Sequence, residues 1–174
     1  MSVFETERLV MRPWREDDAE NLYKYASDPA VGPAAGWPVH TSVGDSLRVL
    51  REVLIEDKTW AVTIKPSDEP VGSIGAFPTD ASGADGEPEI GYWIGRPYWG
   101  NGYIPEAVCA LIGHCFDEGA ENVWCSHFAG NDKSRRVIEK CGFRYVMTQP
   151  WQPTPEDTRD ALYYKITRKE WEHD

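Results

Sequence analysis

The chain has 174 residues, 41% of them hydrophobic and 27% charged, with a formal net charge of −11. A chain of this length can bury a full core, and one domain over residues 1–174 is expected. The acidic balance argues against broad binding to nucleic acid or anionic membranes and mildly favours cationic partners; no apolar run is long enough to span a bilayer.

The start, MSVFETERLV, has no basic flank followed by an apolar run, so it does not read as a signal peptide and a cytoplasmic location is expected. Residues 6–13 read as a first strand. EDDAENLYKYASD follows as a short helix with carboxylates in its first turn, where the helix dipole favours them. PAVGPAAGWPVH reads as a loop, punctuated by proline and glycine. Ser42 and Asp45 have capping-box character, and behind them Val43, Leu47, Leu50 and Leu54 fall on one helical face. TWAVTI, VGSIGAF and EIGYWI then predict a three-stranded antiparallel meander.

Next, Ile104, Val108, Leu111, Ile112 and Cys115 make a helical stripe, and NVWCSHF reads as an apolar strand. A second helix, NDKSRRVIEKC, is stopped by Gly142. FRYVMT and ALYYKIT are two closing strands, separated by QPWQPTPEDTRD, which reads as a proline-rich loop. Strand–helix–strand connectivity calls for a parallel pair with a right-handed crossover. The expected fold is α/β (α+β): a mixed sheet with helices on both faces. Cys109, Cys115, Cys125 and Cys141 form no C-x-x-C pair and no zinc-spaced cluster with histidine, so reduced thiols and no metal are expected.

Trp99-Gly100-Asn101-Gly102-Tyr103 lies between a strand and a helix start. The first N–H groups of a helix lack internal partners, and glycine lets an anion approach them closely. Pro105 suits a first helical turn. The loop has neither the lysine of a Walker loop nor the third glycine of a dinucleotide fingerprint, and a tight turn without a ligand explains two glycines equally well. Lys133, Arg135, Arg136, Lys140 and Arg144 then concentrate positive charge in an acidic chain, as either a phosphate-facing or a solvated surface.

TERLVMRPWREDDAENLY, EIGYWIGRPYWGNGYIPEA and NDKSRRVIEKCGF, in that order, resemble the Gcn5-related N-acetyltransferase (GNAT) superfamily, and within it the Rim-type branch that acetylates ribosomal-protein N-termini. The resemblance covers almost the whole chain. It implies a sheet of about six to seven strands with a splayed parallel pair and about four helices. It implies acetyl-coenzyme A as donor, its diphosphate on the amides of Trp99, Gly100, Asn101, Gly102, Tyr103 and Ile104. The pantetheine arm would pair with the strand edge at Ile90, Tyr92 and Ile94, with Asn131, Ser134 and Arg135 beside it. Two departures from the superfamily loop stand out: Trp99 replaces a glutamine or arginine, and Ile104 occupies a small-residue position.

The implied reaction is attack of a primary amine on the thioester. Glu89 is the candidate base; the alternatives are a solvated strand-edge carboxylate and one that only anchors the incoming cation. Ser134 matches the position that reprotonates the thiolate in Rim-like relatives. Trp37 is a candidate wall of the acceptor cleft, with His40 in the same loop, and His127 a candidate at the notch; His114 reads as structural or solvated. The acceptor is a protein N-terminus or a small amine such as a polyamine or antibiotic. A non-catalytic acyl-coenzyme A-binding module and a ligand-free interaction protein stay open as other classes, and the assembly as monomer or homodimer.

Overall fold

Leu9 and Met11 are fully buried at alternate positions of one strand, while Leu22, Tyr25 and Ala26 recur with helical spacing soon after. The change of period marks the first strand–helix transition. The computed structural model describes residues 2–56, 59–84 and 86–173. Its strands are β1 (Phe4–Glu5), β2 (Leu9–Pro13), β3 (Trp60–Ile64), β4 (Pro70–Pro78), β5 (Pro88–Ile94), β6 (Asn122–Phe128), β7 (Arg144–Thr154) and β8 (Asp157–Thr167). Its α-helices are α1 (Ala19–Ala26), α2 (Gly32–Ala35), α3 (Val43–Val49), α4 (Tyr103–Asp117), α5 (Asp132–Lys140) and α6 (Arg168–His173). Neighbours in the strand order β1-β2-β3-β4-β5-β6-β8-β7 are hydrogen-bonded to one another.

The chain divides into two compact units, residues 1–75 with 92–107, and residues 76–91 with 108–174. In the first, β2 and β3 pair antiparallel from Leu9↔Ile64 to Pro13↔Trp60, and β3 continues onto β4. Its core joins Trp14, Ala19, Leu22, Ala26, Leu50 and Ala61, with Trp37, Leu47, Leu54 and Trp93 packed against them. The Ser42 hydroxyl accepts the Asp45 N–H at 3.0 Å, so the expected cap on α3 is present.

In the second unit, β5 and β6 are parallel, with Glu89 opposite Trp124 and Ile90 opposite Cys125. β8 lies antiparallel to β6 over seven pairs, Asn122↔Thr167 to Phe128↔Ala161. Ala81 and Ala84 pack with Trp124, Ala161 and Tyr163, and Phe128, Met147 and Trp151 join them.

Among the described residues the sheet has eight strands rather than six to seven, and there are six α-helices rather than about four. The two-residue β1 and the four-residue α2 were too short to give a periodic signal. Proline misdirected the reading of residues 149–160: apart from the turn at 155–156 they extend the β7–β8 ladder, with Pro150 opposite Asp160 and Trp151 opposite Arg159. β7 stands last in the strand order, and an edge strand tolerates missing N–H donors.

Candidate active site

Glu89 is the second residue of β5. Its carboxylate accepts two hydroxyl donors, Ser126 Oγ at 2.5 Å on Oε1 and Thr79 Oγ1 at 2.7 Å on Oε2. Thr79 Oγ1 in turn accepts the Ala81 N–H at 3.1 Å, which orients that hydroxyl's proton towards Glu89. Burial pushes the Glu89 carboxyl above its ordinary value, the two hydroxyls pull it down less strongly, and the nearby Asp80 charge adds to the rise. Asp80 is itself fixed by the Tyr163 hydroxyl at 2.5 Å.

Two residues away, Glu87 shows the opposite balance. Burial raises its pKa, but donors from Trp124 Nε1 and Asn122, together with Lys165, outweigh burial and hold it below the ordinary value. Neighbouring carboxyls pushed apart in this way are what acid–base chemistry at neutral pH uses. Sequence reading singled out Glu89 from its place in EIGYWI but not its partners, Thr79 just past β4 and Ser126 on β6, because a lone hydroxyl carries no spacing signal.

The glycine turn belongs to the first unit. Gly100 and Gly102 have φ of 78° and 77°, the left-handed region that glycine adopts without strain. A Cβ built on Gly100 would meet nothing within 4 Å, so the turn is open there. The Ile104 side chain is 5% exposed and turned into the core, so it does not fill the turn. The residues present fit a diphosphate: an open turn, left-handed glycines and the orphan N–H groups of a 15-residue helix.

A clamp that sequence reading missed holds this turn. Glu106 accepts the Thr6 hydroxyl at 2.5 Å, the Arg8 N–H at 2.9 Å and Arg8 Nε at 2.7 Å. Arg8 also donates to the Asn101 carbonyl at 2.9 Å and stacks over the Tyr103 ring at 4.6 Å. The Asn101 amide donates to the carbonyls of Tyr98 and Trp99. Trp99 Nε1 reaches the Ile94 carbonyl at 2.9 Å, so tryptophan at this loop position ties the turn to the strand before it. Gly102→Val is expected to strain the turn by about 1–3 kcal/mol. The KM for acetyl-coenzyme A should then rise about 5- to 100-fold, checked by steady-state kinetics at fixed acceptor.

Trp37 lies in the same unit, edge-to-face with Trp93 at 5.6 Å and 5.2 Å from the His40 ring. His40 is buried, with Nδ1 2.8 Å from Ser46 Oγ, and burial holds its pKa below the ordinary value. Trp37 and His40 help line a cavity of about 300 Å³.

In the second unit, Asn131 caps α5: its side chain accepts the Ser134 N–H at 3.2 Å. Ser134 is half-buried and Arg135 exposed beside Asp132, 3.5 Å away. His127 is buried with both ring nitrogens engaged, by the Phe128 carbonyl at 2.9 Å and the Tyr164 hydroxyl at 3.2 Å. Cys125 donates to the Ile90 carbonyl at 3.3 Å, and burial pushes its thiol pKa up, which suits an inert core residue. Among the described residues no group of histidine, cysteine, aspartate or glutamate could hold a metal ion.

The second unit carries a buried carboxyl on a parallel strand pair, and the first carries a glycine turn that opens a helix; both are parts that a coenzyme A-dependent acyltransferase uses. The sequence profile of the acetyltransferase (GNAT) domain matches residues 8–144, and the chain belongs to that family. It is therefore an N-acetyltransferase that takes its acetyl group from acetyl-coenzyme A. The N-acetyltransferase p20 of Bacillus licheniformis is 33% identical over 121 residues, 67% of each chain. YdaF of Bacillus subtilis, provisionally named a ribosomal N-acetyltransferase, is 36% identical over 86 residues, 48% of this chain and 47% of its own. The crystal structure of a GNAT-family acetyltransferase from Bacillus anthracis shares the fold with a TM-score of 0.81 and 24% identity, covering 97% of this chain and 99% of that one.

Proposed function

We propose that this acetyltransferase modifies the free amino group at a protein N-terminus, with Glu89 as general base and residues 1–174 acting as one catalytic domain. The observation that carries the chemistry is the Glu89 carboxyl, buried, raised in pKa and held on both oxygens by Ser126 and Thr79. The N-terminal acceptor is supported by the likeness to YdaF.

The turn from Trp99 to Ile104 binds the diphosphate, and the backbone at Ile90, Tyr92 and Ile94 pairs with the pantetheine arm as an added strand. Asn131 and Arg135 flank that arm. The parallel β5–β6 ladder of Glu89↔Trp124 and Ile90↔Cys125 is short enough to leave such an edge. Glu89 removes a proton from the acceptor ammonium, directly or through one water. The amine nitrogen then forms its bond to the thioester carbonyl carbon, an N–H of β5 stabilises the oxyanion, and the C–S bond breaks. Ser134 returns a proton to the departing thiolate. We assign His127 to packing, because its ring nitrogens are both used within its own unit.

We place the enzyme in the cytoplasm as a monomer or homodimer. Its net charge of −11 supports a cationic acceptor, and no described helix is long and apolar enough to cross a membrane. Incubation with acetyl-coenzyme A and a peptide library, followed by mass spectrometry, tests the acceptor. Acetyl groups confined to α-amines support the reading, whereas modification of lysine side chains or free polyamines alone refutes it.

Ser126 and Thr79 both donate to the carboxylate form of Glu89. Ser126→Ala should therefore move the acid limb of the kcat/KM profile to higher pH, because a donor that favours the charged form is gone. A pH–rate series on the purified variant checks this shift.

A further inference from the structure

The stretch that follows β4 begins with Thr79, whose hydroxyl holds Glu89, and continues with Asp80, a carboxylate that no step of the reaction uses. Hydrogen bonds from several strands fasten it. The Thr79 N–H donates to the Glu87 carbonyl at 2.8 Å, just before β5. From β7, the Gln149 amide donates to the Asp80 carbonyl at 3.0 Å, and its oxygen accepts the Ser82 N–H and hydroxyl, each at 3.1 Å. From β8, the Tyr163 hydroxyl donates to the Asp80 carboxylate at 2.5 Å. Asp80 is thus held by both main chain and side chain, and all of these groups belong to the second unit.

Asp80 is exposed, and an exposed carboxylate left to itself turns to water. Tyr163 prevents this. Its ring is buried among Ala81, Ala84, Trp124 and Ala161, so its hydroxyl has a fixed place. Burial first, then the bond to Asp80 and the charges of Glu89 and Asp80, push the Tyr163 pKa up, and the group stays a neutral donor. The charges around Glu89 are unbalanced. On its own strand side, Glu87 is taken up by Trp124 and Asn122 and has Lys165 acting on it. On β6, Cys125 is a thiol that burial keeps protonated. Asp80 acts on Glu89 with a like charge, and no cation among the described residues answers it there.

We infer that Asp80 and Tyr163 are positioning residues of the acetyl transfer: Tyr163 locks the Asp80 carboxylate beside Glu89, and repulsion between the like charges favours the form of Glu89 that has taken up the ammonium proton. This rests on Glu89 as general base. Ser126 and Thr79 stabilise the charged form, and Asp80 opposes them from outside the core.

Asp80→Asn keeps the shape and an acceptor for the Tyr163 hydroxyl but removes the charge. The Glu89 carboxyl should then titrate at lower pH, opposite to the direction expected for Ser126→Ala. Tyr163→Phe keeps the buried ring and frees Asp80 to turn to water, where its charge is screened, so the shift should have the same sign. Thr79 keeps its own bonds to Glu87 and Ala81 in that variant. Joining the two substitutions should add nothing to Asp80→Asn alone, because Tyr163 acts through a charge already removed. Carbon NMR of protein labelled at the glutamate carboxyls reads the midpoint without any acceptor, and loss of the signal in Glu89→Gln identifies it. Added salt should lower the wild-type midpoint too, since it screens exposed Asp80, and this holds the test open if a variant fails to fold. A midpoint unmoved by Asp80→Asn or by salt, or a Tyr163→Phe shift that adds in full, overturns the inference and leaves the base reading standing. The pH profile of kcat/KM with a peptide acceptor is then compared. An acid limb that follows the midpoints upholds both. A limb that stays put while the midpoints move removes Glu89 as base, and the catalytic role of Asp80 and Tyr163 goes with it.

Discussion

Glu89→Gln is expected to lower kcat/KM about 100- to 10,000-fold, the usual contribution of a positioned general base. It should also raise thermal stability at neutral pH. The two effects share one cause. Burial lifts the folded-state pKa of Glu89 above its unfolded value. As pH rises through the interval between those values, the folded state holds more protons than the unfolded state, so stability falls across it. Above the raised pKa the cost of the buried charge is fully present. Below the unfolded value it is absent. Glutamine never bears that charge, and its carbonyl and amide can meet the rotatable hydroxyls of Ser126 and Thr79.

The variant's gain in Tm over wild type should therefore be larger at about pH 8 than at about pH 4. Kinetics and thermal melts on the same preparations separate two roles. A loss of rate with a pH-dependent gain in stability fits a base kept at a cost to the fold. Retained rate with the same stability gain would leave Glu89 as a buried structural carboxyl and remove it from the mechanism. The Tm comparison reads the burial of the charge alone and needs no acceptor; the rate, read with a peptide acceptor, then decides between the two roles.

How far the fold was legible follows from the physics of each segment. Strands with a strong apolar pattern, NVWCSHF and EIGYWI, form where periodicity placed them, and α5 runs from Asp132 to Lys140 behind its Asn131 cap. Long β7 was hidden because Pro150, Pro153 and Pro155 mark loops in most contexts, and only edge placement makes proline acceptable in a ladder. At the glycine turn, sequence revealed the backbone device but not its brace. The link between Arg8 and Glu106 joins residues ninety-eight positions apart, a pairing no local spacing rule can express. Ile104 illustrates the same limit from the other side. Its type suggested obstruction, whereas its direction, inward from the first turn of α4, decides that the turn stays open. Trp37 lines a cavity whose charge balance no sequence pattern expresses, since that depends on Asp45 and Arg48 satisfying one another.

Arg12→Met is expected to destabilise the protein by about 3–5 kcal/mol, the range for removing one partner of a buried ion pair. Arg12 and Asp18 are 4% and 5% exposed. The guanidinium spends all of its N–H groups: Nη1 and Nη2 on the two Asp18 oxygens at 2.9 and 2.8 Å, Nη1 also on the Pro13 carbonyl, Nη2 on the Asp68 carbonyl, and Nε on the Asp68 carboxylate at 2.7 Å. The hydrogen bond to Asp18 is the main reason that the Arg12 pKa is raised, against the opposing effect of burial.

Methionine fills much of the volume but leaves Asp18 buried with, among the described residues, the Arg15 N–H as its remaining donor. Arg12→Lys should recover little, because a single ammonium cannot make the planar two-pronged contact. Combining Arg12→Met with Asp18→Asn should recover a large part, since the stranded charge is then removed as well. Urea titrations followed by circular dichroism give the midpoints, and an unchanged m-value shows that the folded and unfolded states are otherwise comparable. Typical domains hold only about 5–15 kcal/mol, so the single variant should lose a substantial share of the protein's stability. A loss under about 1 kcal/mol would place this pair with ordinary surface bridges and show that water reaches Asp18 once the guanidinium is gone.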